Sequence, residues 1–184
     1  MSAAAGNEAD SLVVEFYAPL YRFAFSLCGS QAPASDLTQE TFYRYLTSGG
    51  AIRDPSKVKG WLFTTLYREF LRSYRRNARF PHLEIEEVES DLPQVEAADM
   101  EQIDGQLAMD ALLEVDEVYR GPLSLFYLES LSYTEIAAML EIPVGTVMSR
   151  LSRGRSHLRQ ILKNRLSAED RKVIPLGNRT SGRS

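Results

Sequence analysis

LSYTEIAAMLEIPVGTVMSRLSRGRSHLRQIL, residues Leu131–Leu162, decides the fold: it reads as two closely joined helices, the second apolar on one side and rich in hydroxyls and arginine on the other. Ser132 followed three residues later by Glu135 forms a capping box, which predicts a helix beginning at Tyr133. Ile136, Ala137, Met139 and Leu140 give that helix an apolar face, and small Ala137 and Ala138 admit a close neighbour. Pro143 stops it and biases Ile142 toward extended backbone, so the turn is predicted over Glu141 to Gly145. In the second helix Val144, Val147, Leu151 and Leu158 share a predicted buried stripe, while Thr146, Ser149, Ser152, Arg153 and Ser156 lie opposite. Hydroxyls and guanidinium groups are the side chains that reach phosphates and base edges, and the pairing of helices is that of a helix-turn-helix. Periodicity alone would equally describe a solvated helix of a bundle. The capping box, the proline turn and the polar face together favour DNA contact.

Working outward, the formal net charge is -4, which argues against a uniformly basic nucleic-acid binder, yet the charges are segregated along the chain. Between Pro81 and Gly105 lie Glu84, Glu86, Glu87, Glu89, Asp91, Glu96, Asp99, Glu101 and Asp104, without one lysine or arginine. Basic residues gather instead at Arg68 to Arg79 and at Arg150 to Arg165. With Pro81, Pro93 and Gly105 among its residues, the acidic stretch reads as a poorly ordered linker, with a nascent helix toward its end. The 184 residues therefore suggest an all-α chain of two small helical domains, each with its own modest core, joined by a flexible acidic linker. Residues 1–80 form the first domain, 81–105 the linker, 106–168 the helix-turn-helix domain and 169–184 a disordered tail.

Upstream, Met1 to Asp10 are expected to fray, and Leu12, Phe16, Leu20, Phe23 and Leu27 predict one long helix from near Ser11 to Gly29. After a turn from Gly29 to Ala34, SDLTQETFYRYL (Ser35–Leu46) forms a second helix with Leu37, Thr41, Phe42, Tyr45 and Leu46 on one side. Asp36, Gln39, Glu40 and Tyr43 fall on the other, a stripe that suits either a solvated surface or docking against a basic partner helix. Asp54 and Pro55 supply an N-cap and a first helical position for a third helix, with Leu62, Phe63, Leu66, Tyr67, Phe70 and Tyr74 inward. Trp61, Thr64, Arg68, Arg72 and Arg75 step along its other face, and aromatic plus arginine is the pairing that binds unpaired strands. Trp61 taken alone is as readily a core residue. Beyond the linker, one helix is predicted from Gln106 to before Gly121 and Pro122, and another from Pro122 to Ser130.

Chemistry of other kinds has little support. Cys28 is the only cysteine, which leaves no intramolecular disulfide or cysteine-cluster zinc site. His82 and His157 are too far apart and too poorly accompanied for a metal, so no metal or cofactor is expected. No glycine-rich phosphate loop, nucleophile elbow or histidine-carboxylate arrangement points to an enzyme. Nothing resembles a signal peptide or membrane span, and the protein is expected to be cytoplasmic.

DLTQETF at Asp36–Phe42, GWLFT at Gly60–Thr64 leading into arginines, and SYTEIAAML with VGTVMSRLSRGR make the chain resemble the extracytoplasmic-function sigma factors, the smallest members of the bacterial sigma-70 family. The resemblance runs from about Leu12 to Leu162. It implies a promoter-specificity subunit whose partners are core RNA polymerase, through its clamp coiled coil and flap, promoter DNA and an anti-sigma factor. Under it, Asp36, Gln39, Glu40 and Tyr43 dock on the clamp, which resolves the open reading of that stripe. Lys57, Trp61, Arg68, Arg72, Arg75 and Arg76 would serve the minus-10 element, and Thr146, Ser149, Arg150, Ser152, Arg153 and Ser156 the minus-35 element. The acidic linker would thread the polymerase cleft, its carboxylates mimicking nucleic acid. Arg68 and Arg72 stand where the family usually has asparagine and then aspartate, and Met148 where lysine is frequent. The competing reading is a free-standing helix-turn-helix regulator that binds an operator as a dimer, which would need neither the DLTQETF helix nor the Trp-Arg face.

Overall fold

Seven helices and one 3₁₀ turn, with no strand, make up the residues that this computed structural model describes, namely 2–48, 52, 54–77 and 105–172. They are α1 (Ser2–Cys28), α2 (Gln31–Thr47), α3 (Val58–Asn77, entered through a 3₁₀ turn at Pro55–Lys57), α4 (Gly105–Glu114), α5 (Glu117–Glu129), α6 (Tyr133–Leu140) and α7 (Val144–Lys172). The acidic linker to Asp104, with His82, and the tail from residue 173 lie outside the described residues.

Local chemistry explains most helix ends. Gly29 closes α1 with φ of 70°, a left-handed conformation that suits glycine, and its N–H bonds the Phe25 carbonyl at 2.8 Å. The capping box of α6 is complete: the Glu135 carboxylate accepts from the Ser132 N–H at 2.8 Å, and the Ser132 hydroxyl accepts from the Glu135 N–H at 3.3 Å. Asp54 caps the 3₁₀ turn by accepting from the Ser56 N–H at 3.1 Å.

Several predicted ends move. Helix α1 begins at Ser2 and not near Ser11, because Ala3 to Ala5 extend an existing helix at little cost. Helix α2 begins at Gln31, since Pro33 falls in the first turn, where no N–H is needed. The break expected before Gly121 and Pro122 lies instead at Val115 and Asp116, and α5 runs through both. There the Arg120 guanidinium donates to the Val115 and Leu113 carbonyls, each at 2.7 Å, satisfying the end of α4, while Val115 enters the core. Helix α6 stops at Leu140, with Glu141 in the left-handed region at φ 56°, and α7 starts at Val144, so Gly145 is helical. At the far end α7 passes the expected limit of residue 168 and reaches Lys172; Arg165, paired with Glu114 and donating to the Asp110 carbonyl at 3.3 Å, ties it to α4.

The two halves do not keep separate cores. Leu20, Phe23 and Leu27 of α1 pack with Leu62, Phe63 and Leu66 of α3, and the Phe23 and Phe63 rings lie 5.4 Å apart. The same buried cluster continues into Leu123 and Leu125 of α5, Ile136 and Leu140 of α6, and Val147, Leu151, Leu158 and Leu162 of α7. Helix α5 packs on α1 and α7, and α6 packs on α3. Gly121 marks the convergence: a Cβ there would lie 3.6 to 3.8 Å from Tyr67, Leu27 and Leu140. Cys28 packs half-buried against this cluster, and burial pushes its thiol up to about 11, so it stays protonated and inert near neutral pH.

Candidate nucleic-acid interface

Helix α7 inserts Val147, Leu151, Leu158 and Leu162 into the core. Val144, predicted to share that stripe, is instead 38% exposed as the first residue of α7. Two residues that periodicity did not single out position the helix. Gly154 is buried against α5, where an added Cβ would come within 2.9 Å of both Leu123 Cδ1 and Tyr119 Cβ. Arg155 lays its guanidinium 4.6 Å from the Phe126 ring centre and donates toward the Tyr133 hydroxyl at 3.4 Å, so it is a packing residue of the helix-turn-helix.

On the outer side Arg153 and Ser156 are exposed, and Thr146, Ser149, Arg150 and Ser152 are half-buried. The Ser149 hydroxyl donates to the Thr146 carbonyl at 3.0 Å and that of Ser156 to the Ser152 carbonyl at 3.2 Å, which leaves their lone pairs outward. Burial pushes the Tyr67 phenol on α3 up, and the nearby Arg150 guanidinium opposes that rise.

A second surface forms where the end of α2 meets α3. Arg44, Thr47, Ser48, Trp61, Thr65, Arg68, Glu69 and Arg72 line an open cleft of about 410 Å³. Trp61 is half-buried and meets Tyr45 edge to face, with ring centres 5.7 Å apart, so one face of the indole is anchored while the residue still borders the cleft. Three arginines converge on this opening. Glu69, its side chain only 11% exposed, holds Arg44 at 3.2 Å and Arg72 at 3.1 Å. Arg68 forks onto Glu141 in a bidentate pair, with Nε to Oε2 at 2.9 Å. That guanidinium holds the Glu141 carboxyl below the usual carboxylate range.

The cleft thus gathers Trp61, Arg68 and Arg72 from the expected minus-10 set. Lys57 is exposed beside Asp54 at 3.8 Å and does not line it, and the side chains of Arg75 and Arg76 lie outside the described residues. Arg44 and Glu69 belong to the cleft although sequence reasoning passed them over. Both could have been found by intrahelical ion-pair spacing, Arg44 at four residues from Glu40 and Glu69 at three from Arg72.

The third surface is the outer face of α2. Asp36 and Gln39 are exposed, Tyr43 is 64% exposed, and Glu40 accepts from Arg44 Nε at 2.8 Å. Leu46, expected inside, lies in the last turn of α2 and is 53% exposed. An apolar tip therefore adjoins the polar stripe.

Comparison with known proteins matches residues 12–80 to Sigma-70 region 2 and residues 105–158 to Sigma-70, region 4. Among similar proteins are the ECF RNA polymerase sigma factors SigE of Mycolicibacterium smegmatis, 38% identical over 83% of this chain, and SigL of Mycobacterium tuberculosis, 34% identical over 82%. The match covers 61% of the length of SigE and 88% of SigL. EcfG of Rhodopseudomonas palustris is 32% identical, with 78% of each chain covered. Of solved structures, the sigma factor RpoE in complex with the anti-sigma factor NepR from Bartonella quintana superposes with a TM-score of 0.65 at 28% identity, covering 84% of this chain and 96% of that one. CnrH, at 21% identity and a TM-score of 0.60, shares the fold.

Proposed function

We propose a division of labour that starts from one premise: the chain belongs to the extracytoplasmic-function group of the sigma-70 family and is a promoter-recognising sigma factor. Its first domain, residues 1–80, docks on core RNA polymerase through Asp36, Gln39, Glu40 and Tyr43 and takes the minus-10 element at the α3 face. Its second, residues 106–168, reads the duplex minus-35 element with Thr146, Ser149, Arg150, Ser152, Arg153 and Ser156 of α7. Lys57, Arg75 and Arg76 guide the backbone around the minus-10 site. The acidic residues 81–105 join the two. The chain is a transcription initiation factor; we assign it no catalytic activity and place its work in the cytoplasm, with the polymerase.

The cleft beside Trp61 is the observation that carries this reading. It is open enough to admit an unpaired base, Trp61 offers an aromatic edge to it, and Arg68 and Arg72 stand where phosphates would pass. A repressor that reads only duplex DNA has no use for such a feature. RpoE of Bartonella quintana is bound by an anti-sigma factor, and we include a protein of that class among the partners here.

The direct test is transcription from a pool of promoter fragments by purified core polymerase with and without this protein. Defined start sites that depend on its addition support the reading; footprinting of an operator by the free dimer without stimulated transcription would favour the regulator instead. Within that assay Trp61→Ala is expected to weaken open-complex formation by about 2 kcal/mol, the worth of one base stack, with less effect on pre-opened templates whose minus-10 bases are absent. Arg153→Ala is expected to cost about 2 kcal/mol in promoter affinity while core-polymerase binding stays intact. An unchanged promoter preference would move the readout to Thr146 or Ser149.

A further inference from the structure

Each of the three arginines that wall the cleft beside Trp61 already holds a carboxylate. Arg68 is paired with Glu141, and the other two share Glu69. Glu69 Oε2 lies 3.2 Å from Arg44 Nη2 on α2 and accepts from Arg72 Nη1 at 3.3 Å, while Oε1 accepts from the same Arg72 nitrogen at 3.1 Å. The Glu69 side chain is 11% exposed, whereas those of Arg44 and Arg72 are 39% and 57% exposed. A largely buried anion thus sits beneath two guanidinium groups that still reach solvent at the cleft. Arg44 has a second acceptor in Glu40, at 2.8 Å from its Nε. Where Glu40 docks on the polymerase, Glu69 becomes the partner that keeps Arg44 in place.

We propose that Glu69 sets the sequence discrimination of this cleft, by binding Arg44 and Arg72 so that they act as fixed walls for a base and not as collectors of phosphate. The proposal rests on the assignment of the cleft to the unpaired minus-10 strand. The reason is one of charge. An unpaired guanidinium attracts any phosphate, and phosphate contacts add affinity without sequence information. One that is held by a carboxylate has its charge offset and its donors directed, so it favours strands whose bases fit the edges it presents. Glu69 acts through the two arginines and is a positioning residue. Loss of its charge leaves both guanidinium groups less restrained and turned toward the strand, which strengthens binding of any sequence and weakens the choice between sequences.

The test is Glu69→Gln, a nearly isosteric change, in the holoenzyme formed with core polymerase. Two single-stranded oligonucleotides are compared by fluorescence anisotropy over a salt series, with core polymerase alone as the blank. One is the non-template minus-10 strand of a promoter recovered in the transcription assay, the other the same bases scrambled. The scrambled strand is expected to bind about fivefold more tightly than it does to the unaltered holoenzyme, with a salt slope steeper by about 0.7 for each guanidinium released. The preference for the promoter strand is expected to fall about threefold or more. Glu69→Gln with Arg44→Gln removes one released charge and is expected to recover about half of the added slope. An unchanged preference overturns the proposal. So does weaker binding of both strands together, the result of a merely structural ion pair, and so does a double variant that holds the scrambled strand as tightly as the single one. Trp61→Ala keeps the underlying assignment separate. If that change leaves binding of the promoter strand intact, the cleft is not the minus-10 site and the reading itself fails. Weakened binding there, beside a Glu69→Gln variant with unchanged preference, removes only the role of Glu69.

Discussion

Changing Asp36, Gln39 and Glu40 together to alanine is expected to weaken association with core RNA polymerase by about 3–5 kcal/mol while the isolated protein melts almost as before. The stability half of this expectation follows from where α2 keeps its buried groups. Leu37, Thr38, Thr41 and Phe42 face the core, and the Thr38 and Thr41 hydroxyls donate to the Ala34 and Leu37 carbonyls at 2.8 Å, so nothing buried loses a partner. The ion pair that Glu40 makes with Arg44 is partly exposed and contributes only about 0.3–0.5 kcal/mol, which the better helix propensity of alanine offsets. The binding half follows from three polar groups on one face that would donate to or accept from a basic helix in a desolvated contact. Core-polymerase affinity measured beside thermal unfolding checks both. Normal affinity with a normal melting curve would reduce the stripe to a solvated surface.

Gly154→Val is expected to destabilise the protein by about 3 kcal/mol and to lower promoter recognition with it. The cause is geometric. A Cβ at this position already sits 2.9 Å from Tyr119 Cβ, an atom close to the α5 backbone, so it cannot be accommodated by rotation of a flexible side chain alone. Branching adds two more methyl groups to the same contact. Either α7 moves off α5, uncovering Leu151 and Leu158, or α5 shifts against α1. Valine has the better helix propensity, which recovers about 0.4 kcal/mol and does not change the sign. Calorimetric unfolding decides the matter: equal or higher stability would show that α5 and α7 can part at no cost.

These two sites differ in how they could be read beforehand. Periodicity placed Asp36, Gln39 and Tyr43 on one outer face correctly, because a helix separates its faces by residue spacing alone. The same rule misplaced Leu46 and Val144, which have inward spacing but lie at helix ends where no neighbour covers them. It also had no means of finding Gly154, whose importance comes from the approach of another helix. Glu69 can be paired with Arg72 by spacing along α3, but only the crossing of α2 and α3 brings Arg44 to the same carboxylate.

Sequence by itself determined the all-helical class, the helix-turn-helix with its capping box at Ser132 and Glu135, and the segregation of acidic from basic segments. Capping, proline stops and apolar spacing act over a few residues, so they are written in the chain wherever they occur. Tertiary structure alone decided that both halves share one buried cluster, that Trp61 borders an open cleft, and that Arg68 is held by Glu141 of the opposite half. Arg68 and Glu141 are 73 residues apart in the chain. Contacts of that kind depend on how helix surfaces fit once packed, and no local propensity encodes which distant carboxylate an arginine will meet.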